Sequence, residues 1–190
     1  MRVIVHTVPD SPWLDYLRQR LPQLEVCPDR TCAPDRVGDA RWFAYENYLD
    51  ALALQGDDPA IQIEDDVILT RNFLEKAEAV IGVRPASIIQ FFSMRQADRE
   101  VGARWDRDFL SNLCTYIPAK IAPQLVAFGR AWERRAEHPG GYDLMVNDWL
   151  REYRQRYWIA VPNLVQHRIA KSRLGPRSSK RQSLTFVEPD

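Results

Sequence analysis

Three carboxylates stand in a row at the end of an apolar run, Ile61-Gln62-Ile63-Glu64-Asp65-Asp66-Val67. In an extended segment side chains alternate, so Glu64 and Asp66 share one face and Asp65 takes the other. Their Cα atoms then lie roughly 6–7 Å apart, close enough for both to serve one ion. Adjacent carboxylates repel at neutral pH, and a divalent cation relieves the repulsion. Hard oxygen donors suit Mg²⁺ or Mn²⁺, which keep positions open for diphosphate oxygens.

The surrounding sequence reads as a scaffold for that acid cluster. Val3-Ile4-Val5 is a β-branched strand, and Ser11-Pro12 predicts a helix start with proline in its first turn. Residues 26–41, with Pro28 and Pro34, read as a loop near the site entrance. A second helix is expected over Ala40–Leu54, broken by Gly56-Asp57-Asp58-Pro59. A strand follows over Ala60–Leu69, then a helix Arg71–Ile81 capped by Thr70, then a strand Ser87–Ser93. This β-α-β-α-β order predicts an α/β fold with a mostly parallel sheet and helices on both faces. Ligands of such sheets bind beyond the carboxyl ends of the strands, where the acids stand.

The second half is less regular. Met94–Asp108 reads as a loop or exposed helix and Leu113–Ile117 as a strand. Pro118 opens a helix towards Ala136, with Pro123 in its first turns or splitting it. Gly140-Gly141 precedes a helix Tyr142–Arg156, and Trp158–Pro162 is a last strand. From Arg168 to Arg181 there are six cations and no acid.

Composition narrows the function classes. With 190 residues, the chain has room for one domain, or one domain and a tail. Lys+Arg 26 cancels Asp+Glu 26, so no global field draws in nucleic acid or an anionic membrane. No apolar run reaches the roughly 18–20 residues that span a bilayer, and Met1–His6 reads as a strand rather than a signal segment. The odd cysteine set, Cys27, Cys32 and Cys114, points to reduced thiols and a cytoplasmic setting.

The acid triplet on its strand resembles the DxD-type element of GT-A-fold glycosyltransferases, closest to the lipopolysaccharide-type family with an EDD motif and to compact phage and bacterial relatives. A second block, Pro162-Asn163-Leu164-Val165-Gln166-His167 followed by Ser172 and Leu174-Gly175, is similar to an element near the end of several such enzymes. Between them, Gly141-Tyr142-Asp143 and Asn147-Asp148-Trp149 resemble the acidic helix start that carries the base in inverting members. The chain is shorter than many members, so acceptor identity does not transfer.

The resemblance implies a GT-A-like (Rossmann-like) catalytic domain over residues 1–167 and a basic C-terminal arm over 168–190. It implies that Asp66 binds Mn²⁺ or Mg²⁺ directly, that Glu64 and Asp65 support the ion, ribose or sugar, and that His167 approaches the ion. The nucleotide-sugar is expected against His6, Thr7, Val8 and Pro9 after the first strand, Arg41 and Asn47 of the second helix, and Lys171, Ser172 and Arg173 of the arm. Asp148 and Asp143 are the base candidates. Five residues apart, they project roughly 140° apart on a helix; the pairing with Trp149 favours Asp148.

The implied activity is metal-dependent hexosyl or pentosyl transfer from a nucleotide-sugar, with UDP the expected nucleotide. The acceptor hydroxyl belongs to a saccharide or to a modified base in phage DNA. A metal-dependent phosphotransferase or hydrolase, and a non-catalytic nucleotide-sugar-binding domain, are the alternatives. The basic arm is open to three roles: a solvated end, a cover over the diphosphate, or a contact to a nucleic-acid backbone.

Overall fold

The computed structural model describes residues 1–8, 10–28, 40–100, 102–106, 109, 112–169 and 181–187, with backbone alone at 40, 41 and 102–106. Strand alternation organises the molecule. In β1 (Arg2–Thr7), Val3 and Val5 face a cluster formed with α1 (Leu14–Arg20) and α3 (Phe73–Val83). Ile4 faces the other way, against Ala51 of α2 (Ala40–Gln55). The period of two thus assigns each side chain to one of two helical layers.

The main sheet has seven strands in the order β2-β1-β3-β7-β5-β8-β6. Besides β1 these are β2 (Leu24–Pro28), β3 (Ala60–Glu64), β5 (Ile88–Gln90), β6 (Gly102–Asp106), β7 (Cys114–Ile117) and β8 (Tyr157–Val161). Five strands run one way, while β7 and β6 run against them. On the face opposite α1 and α3, helices α2, α4 (Ala122–Ala131) and α5 (Tyr142–Glu152) bury Tyr45, Leu49, Leu125, Met145 and Trp149 against Ile117 and Ile159. The mixed α/β, mostly parallel, two-faced single domain expected from the sequence is the fold observed, and it is Rossmann-like.

Several local expectations change. The run Ala60–Leu69 is two strands. β3 ends at Glu64, the chain bends at Asp65-Asp66, and β4 (Val67–Leu69) pairs antiparallel with β9 (Val165–His167) in a separate small sheet. Residues 26–28 belong to β2, paired with β1, rather than to a loop; 29–39 lie outside the described residues. Gly102–Asp106 is an edge strand on β8 rather than a loop or helix. An edge strand is held by backbone pairing to one neighbour, which hydropathy does not reveal.

Helix boundaries also move. Helix α1 begins at Leu14, two residues later than expected; the Ser11 hydroxyl accepts from the Trp13 N–H at 3.3 Å in the preceding turn. Thr70 does not cap α3, whose N-cap is Asn72. Instead the Thr70 hydroxyl donates to the Val187 carbonyl at 3.4 Å. Helix α4 starts at Ala122 with Pro123 in its first turn, and α5 stops at Glu152. Gly56 ends α2 as expected, with φ of 63° and its N–H on the Leu52 carbonyl, the left-handed stop that glycine adopts without strain.

The chain end is docked in part. Ser183 is buried: its N–H donates to Gln166 Oε1 at 2.8 Å and its hydroxyl to Asn163 Oδ1 at 2.7 Å. The segment 181–187 is therefore laid against the turn that precedes β9 and against β9 itself. Residues 170–180, which carry most of the basic run, lie outside the described residues. Among the described residues, no helix is long and apolar enough to cross a membrane.

Candidate functional site

The site forms where β1 and β3 end side by side, with His6 in register with Glu64. Both side chains fall on the α2–α5 face of the sheet. The Tyr142 hydroxyl, from the first residue of α5, donates to Glu64 Oε1 at 2.5 Å. The Tyr142 ring stacks on Tyr48 of α2 at 4.9 Å and meets His6 edge-on at 6.4 Å. His6 also meets Tyr48 edge-on at 5.8 Å. An aromatic wall thus backs the carboxylate.

Glu64 is pushed up to about 8, first by burial and then by the Asp66 charge. The Tyr142 hydrogen bond and the charges of His167 and Arg181 oppose the rise. Burial pushes Tyr142 well above the usual phenol range, and the Glu64 charge and hydrogen bond add to it. His6 is held down at about 4 by burial, against the pull of the Asp65 and Asp66 charges. It is neutral at physiological pH.

The bend after β3 sends the other two acids apart. Asp65 Oδ2 accepts from the Thr7 hydroxyl at 2.5 Å. Asp66 Oδ2 lies 3.3 Å from His167 Nε2, across the β4–β9 pair in which Val67 opposes His167. Burial lowers the His167 imidazole, but the Asp66 hydrogen bond and charge, with the Glu64 charge, outweigh it and leave the ring above its ordinary value. The backbone next to this pair is clamped. The Arg168 N–H donates to the Asp66 carbonyl at 2.9 Å and its Nε to the Val67 carbonyl at 3.1 Å. The Arg168 guanidinium lies over the rings of Trp13 and Tyr16, 4.4 and 4.5 Å from their centres.

Asp66 Oδ1, His167 Nδ1 and His6 Nε2 are buried without a hydrogen-bond partner among the described residues. Among the described residues no three His, Cys, Asp or Glu side chains are gathered as a metal cluster. Asp66 and His167 alone offer two ligands. That suits a hard cation which takes one or two protein groups and fills the rest of its shell with phosphate oxygens and water.

The two base candidates have different surroundings. Asp143 lies in the first turn of α5, next to Tyr142, and its charge raises both Tyr142 and Tyr48. Asp148 lies roughly 9 Å further along the helix axis than Tyr142. Its Oδ2 accepts from Arg134 Nη1 at 2.8 Å and from Trp132 Nε1 at 3.0 Å. Asp143, not Asp148, therefore lies at the end of α5 whose Tyr142 meets Glu64.

Thr7 and His6 join the site, and Val8 follows them with its carbonyl accepting from the Thr7 hydroxyl at 3.1 Å. Asn47 is buried, its Oδ1 accepting from the Cys27 thiol at 3.8 Å, inside the α2–β2 contact. Pro9, Lys171, Ser172 and Arg173, and the side chain of Arg41, lie outside the described residues. Tyr142, Tyr48, Arg168 and Arg181 are site residues that the sequence reading did not single out. For Tyr142 the signal was present: a tyrosine directly before Asp143 at a Gly-Gly helix start.

No family model matches the chain, and no curated protein matches it. Several solved structures are similar to it, two of which follow. A197 from STIV aligns with a TM-score of 0.46 and 14% identity, over 90% of this chain and 87% of that one. An apo UDP-glucose pyrophosphorylase aligns with a TM-score of 0.46 and 11% identity, over 80% of this chain and 62% of that one, so the alignment spans less than two thirds of the pyrophosphorylase.

Proposed function

We propose that this chain is a metal-dependent glycosyltransferase, moving a sugar from a nucleotide-sugar, with UDP as the expected nucleotide, to an acceptor hydroxyl. The observation that carries the reading is the Glu64-Asp65-Asp66 turn at the carboxyl end of β3, closed from the C-terminal side by His167.

In this reading Asp66 and His167 hold Mn²⁺ or Mg²⁺. The ion, when bound, supplies positive charge against the departing diphosphate. Asp65, oriented through Thr7, offers its second oxygen to a ribose or sugar hydroxyl. Glu64 is braced by Tyr142. Arg181, close enough to act on Glu64, adds positive charge on the diphosphate side. The acceptor oxygen attacks the anomeric carbon, and the bond from that carbon to the diphosphate oxygen breaks. The electron pair leaves with the diphosphate, and Asp143 takes the acceptor proton. An unactivated hydroxyl is a poor nucleophile, and a positioned base typically supplies ~10²–10⁴ in rate. The balanced net charge favours a saccharide acceptor over a base in DNA.

Calorimetry with UDP tests the donor site. Binding is expected to be at least tenfold tighter with Mn²⁺ than with EDTA, and Asp66→Asn should remove most of that difference. Equal affinity with and without metal in the unaltered protein would overturn the metal role. Release of free sugar and UDP at the same rate with and without acceptor would favour the hydrolase alternative.

A further inference from the structure

A second concavity, of about 240 Å³, opens on the end of the sheet away from the carboxylates. Strand β5 runs parallel to β8 and in the same direction as β3. The residues before β5 and before β8 therefore lie at the amino end, a full strand length from Glu64. The cavity takes Ser87 from before β5 and Arg154, Gln155 and Arg156 from the turn before β8. Pro118, just after the antiparallel β7, lies at the same end. Ile88, Pro118 and Ile121 form its apolar wall together with Trp149 of α5.

Its polar side chains all carry donors. Two guanidiniums, the Gln155 amide and the Ser87 hydroxyl stand around it, and its lining residues include no Asp or Glu. Neither Arg154 nor Arg156 has an ion pair, side-chain hydrogen bond or ring contact among the described residues. Trp149, part of the wall, is only 2% exposed and stacks on Tyr153 at 5.3 Å, and its Nε1–H is buried without an acceptor among the described residues. Buried donors are rarely left unpaired, because nothing replaces the water they lose.

The turn that carries the arginines is firmly built. Arg154 adopts φ of 51°. The N–H groups of Tyr153, Arg154 and Gln155 cap the carbonyls of Trp149, Arg151 and Leu150 at 3.0, 3.2 and 2.8 Å. The carbonyl dipoles at this end of α5, which would repel an anion, are thereby partly satisfied.

The geometry points to a binding pocket for an organic monophosphate, separate from the carboxylate site. The phosphate sits between Arg154 and Arg156, with the Ser87 hydroxyl as a further donor. A short carbon body lies against Ile88, Pro118 and Ile121. Two guanidiniums match a dianion better than a single carboxylate, and planar guanidinium forks suit phosphate oxygens. The inference does not depend on the proposed glycosyl transfer.

The test is a titration of the full chain with butyl phosphate, inorganic phosphate and butanoate, read on the tryptophan indole N–H resonances by NMR. Trp149→Phe assigns the Trp149 signal. Butyl phosphate is expected to shift that signal saturably, at least tenfold more tightly than inorganic phosphate or butanoate. Arg154→Gln/Arg156→Gln, two exposed replacements, should weaken the titration at least tenfold, and Asp66→Asn should leave it unchanged. No saturable shift at Trp149, a shift that survives the double replacement, or one lost in Asp66→Asn would overturn the pocket. Equal affinity for inorganic phosphate would overturn the organic body, and equal affinity for butanoate the preference for phosphate.

Discussion

The Tyr142 hydroxyl holds Glu64 Oε1 at 2.5 Å, joining the start of α5 to the end of β3 across 78 residues of sequence. Glu64 is already pushed up to about 8 by burial and the Asp66 charge, and this hydrogen bond opposes the rise. Tyr142→Phe removes the donor and leaves a partly buried carboxyl less satisfied. A cost of about 1–3 kcal/mol is expected, with the Glu64 carboxyl moving further up. Urea unfolding of Tyr142→Phe, Glu64→Gln and the double variant checks it. Strictly additive losses would show that the contact carries no coupling energy.

Asp143 and Asp148 separate by function in the second prediction. Asp143→Asn should lower turnover by ~10²–10⁴ with donor binding little changed. Asp148→Asn removes the charge of a part-exposed pair with Arg134 but keeps an oxygen that accepts from Trp132. It should cost about 1 kcal/mol of stability and leave turnover within about twofold. The reverse pattern in initial rates would return the base to Asp148.

His6 makes stability depend on pH. Its folded value of about 4 lies below the ordinary value near 6.5, because burial disfavours the charged ring. Below pH 6.5 the unfolded chain takes up a proton that the folded chain refuses until about pH 4, so folding stability falls as pH falls through this window. At pH 5 the loss from this one group is about 2 kcal/mol relative to pH 7. Urea unfolding at the two pH values should show His6→Phe gaining about 2 kcal/mol on the unaltered chain between pH 7 and pH 5. Parallel profiles would remove His6 as the cause.

The docked chain end is laid against His167, whose carbonyl accepts from Gln182 Nε2 at 2.9 Å. The Ser183 hydroxyl accepts from the N–H groups of Thr185 and Phe186 at 3.1 and 3.2 Å while donating to Asn163. Ser183→Ala should therefore cost about 1–3 kcal/mol, or roughly 2–12 °C in Tm for a domain of this size. Because Gln166 is held by the same segment, next to His167, Mn²⁺-dependent UDP binding should weaken as well. An unchanged melting temperature would mean that this polar network adds nothing net to folding.

Local rules were enough for the scaffold. The β-branched run at Val3–Val5, the apolar run into Glu64 and the Gly56 stop are short-range signals, and each element appears where those signals lie. The order of strands and helices then determined a two-faced, mostly parallel sheet, since such connections leave few alternatives. The acid triplet stood out as candidate chemistry from local sequence as well: three adjacent carboxylates at the end of an apolar strand repel one another, and a cation relieves that repulsion.

Tertiary structure decided the rest. Alternation alone put Glu64 and Asp66 on one face, but the chain bends at Asp65-Asp66 because β4 leaves the main sheet to pair with β9, nearly 100 residues away. That pairing, not any local propensity, sends Asp66 to His167 and leaves Glu64 to Tyr142. The base candidates show the same limit. Helical spacing separates Asp143 from Asp148 by angle, but only the packing of α5 against β3 and of Trp132 against α2 determines which acid meets the site and which meets Arg134. Contacts between distant segments depend on how whole faces pack, and no window of neighbouring residues contains that information.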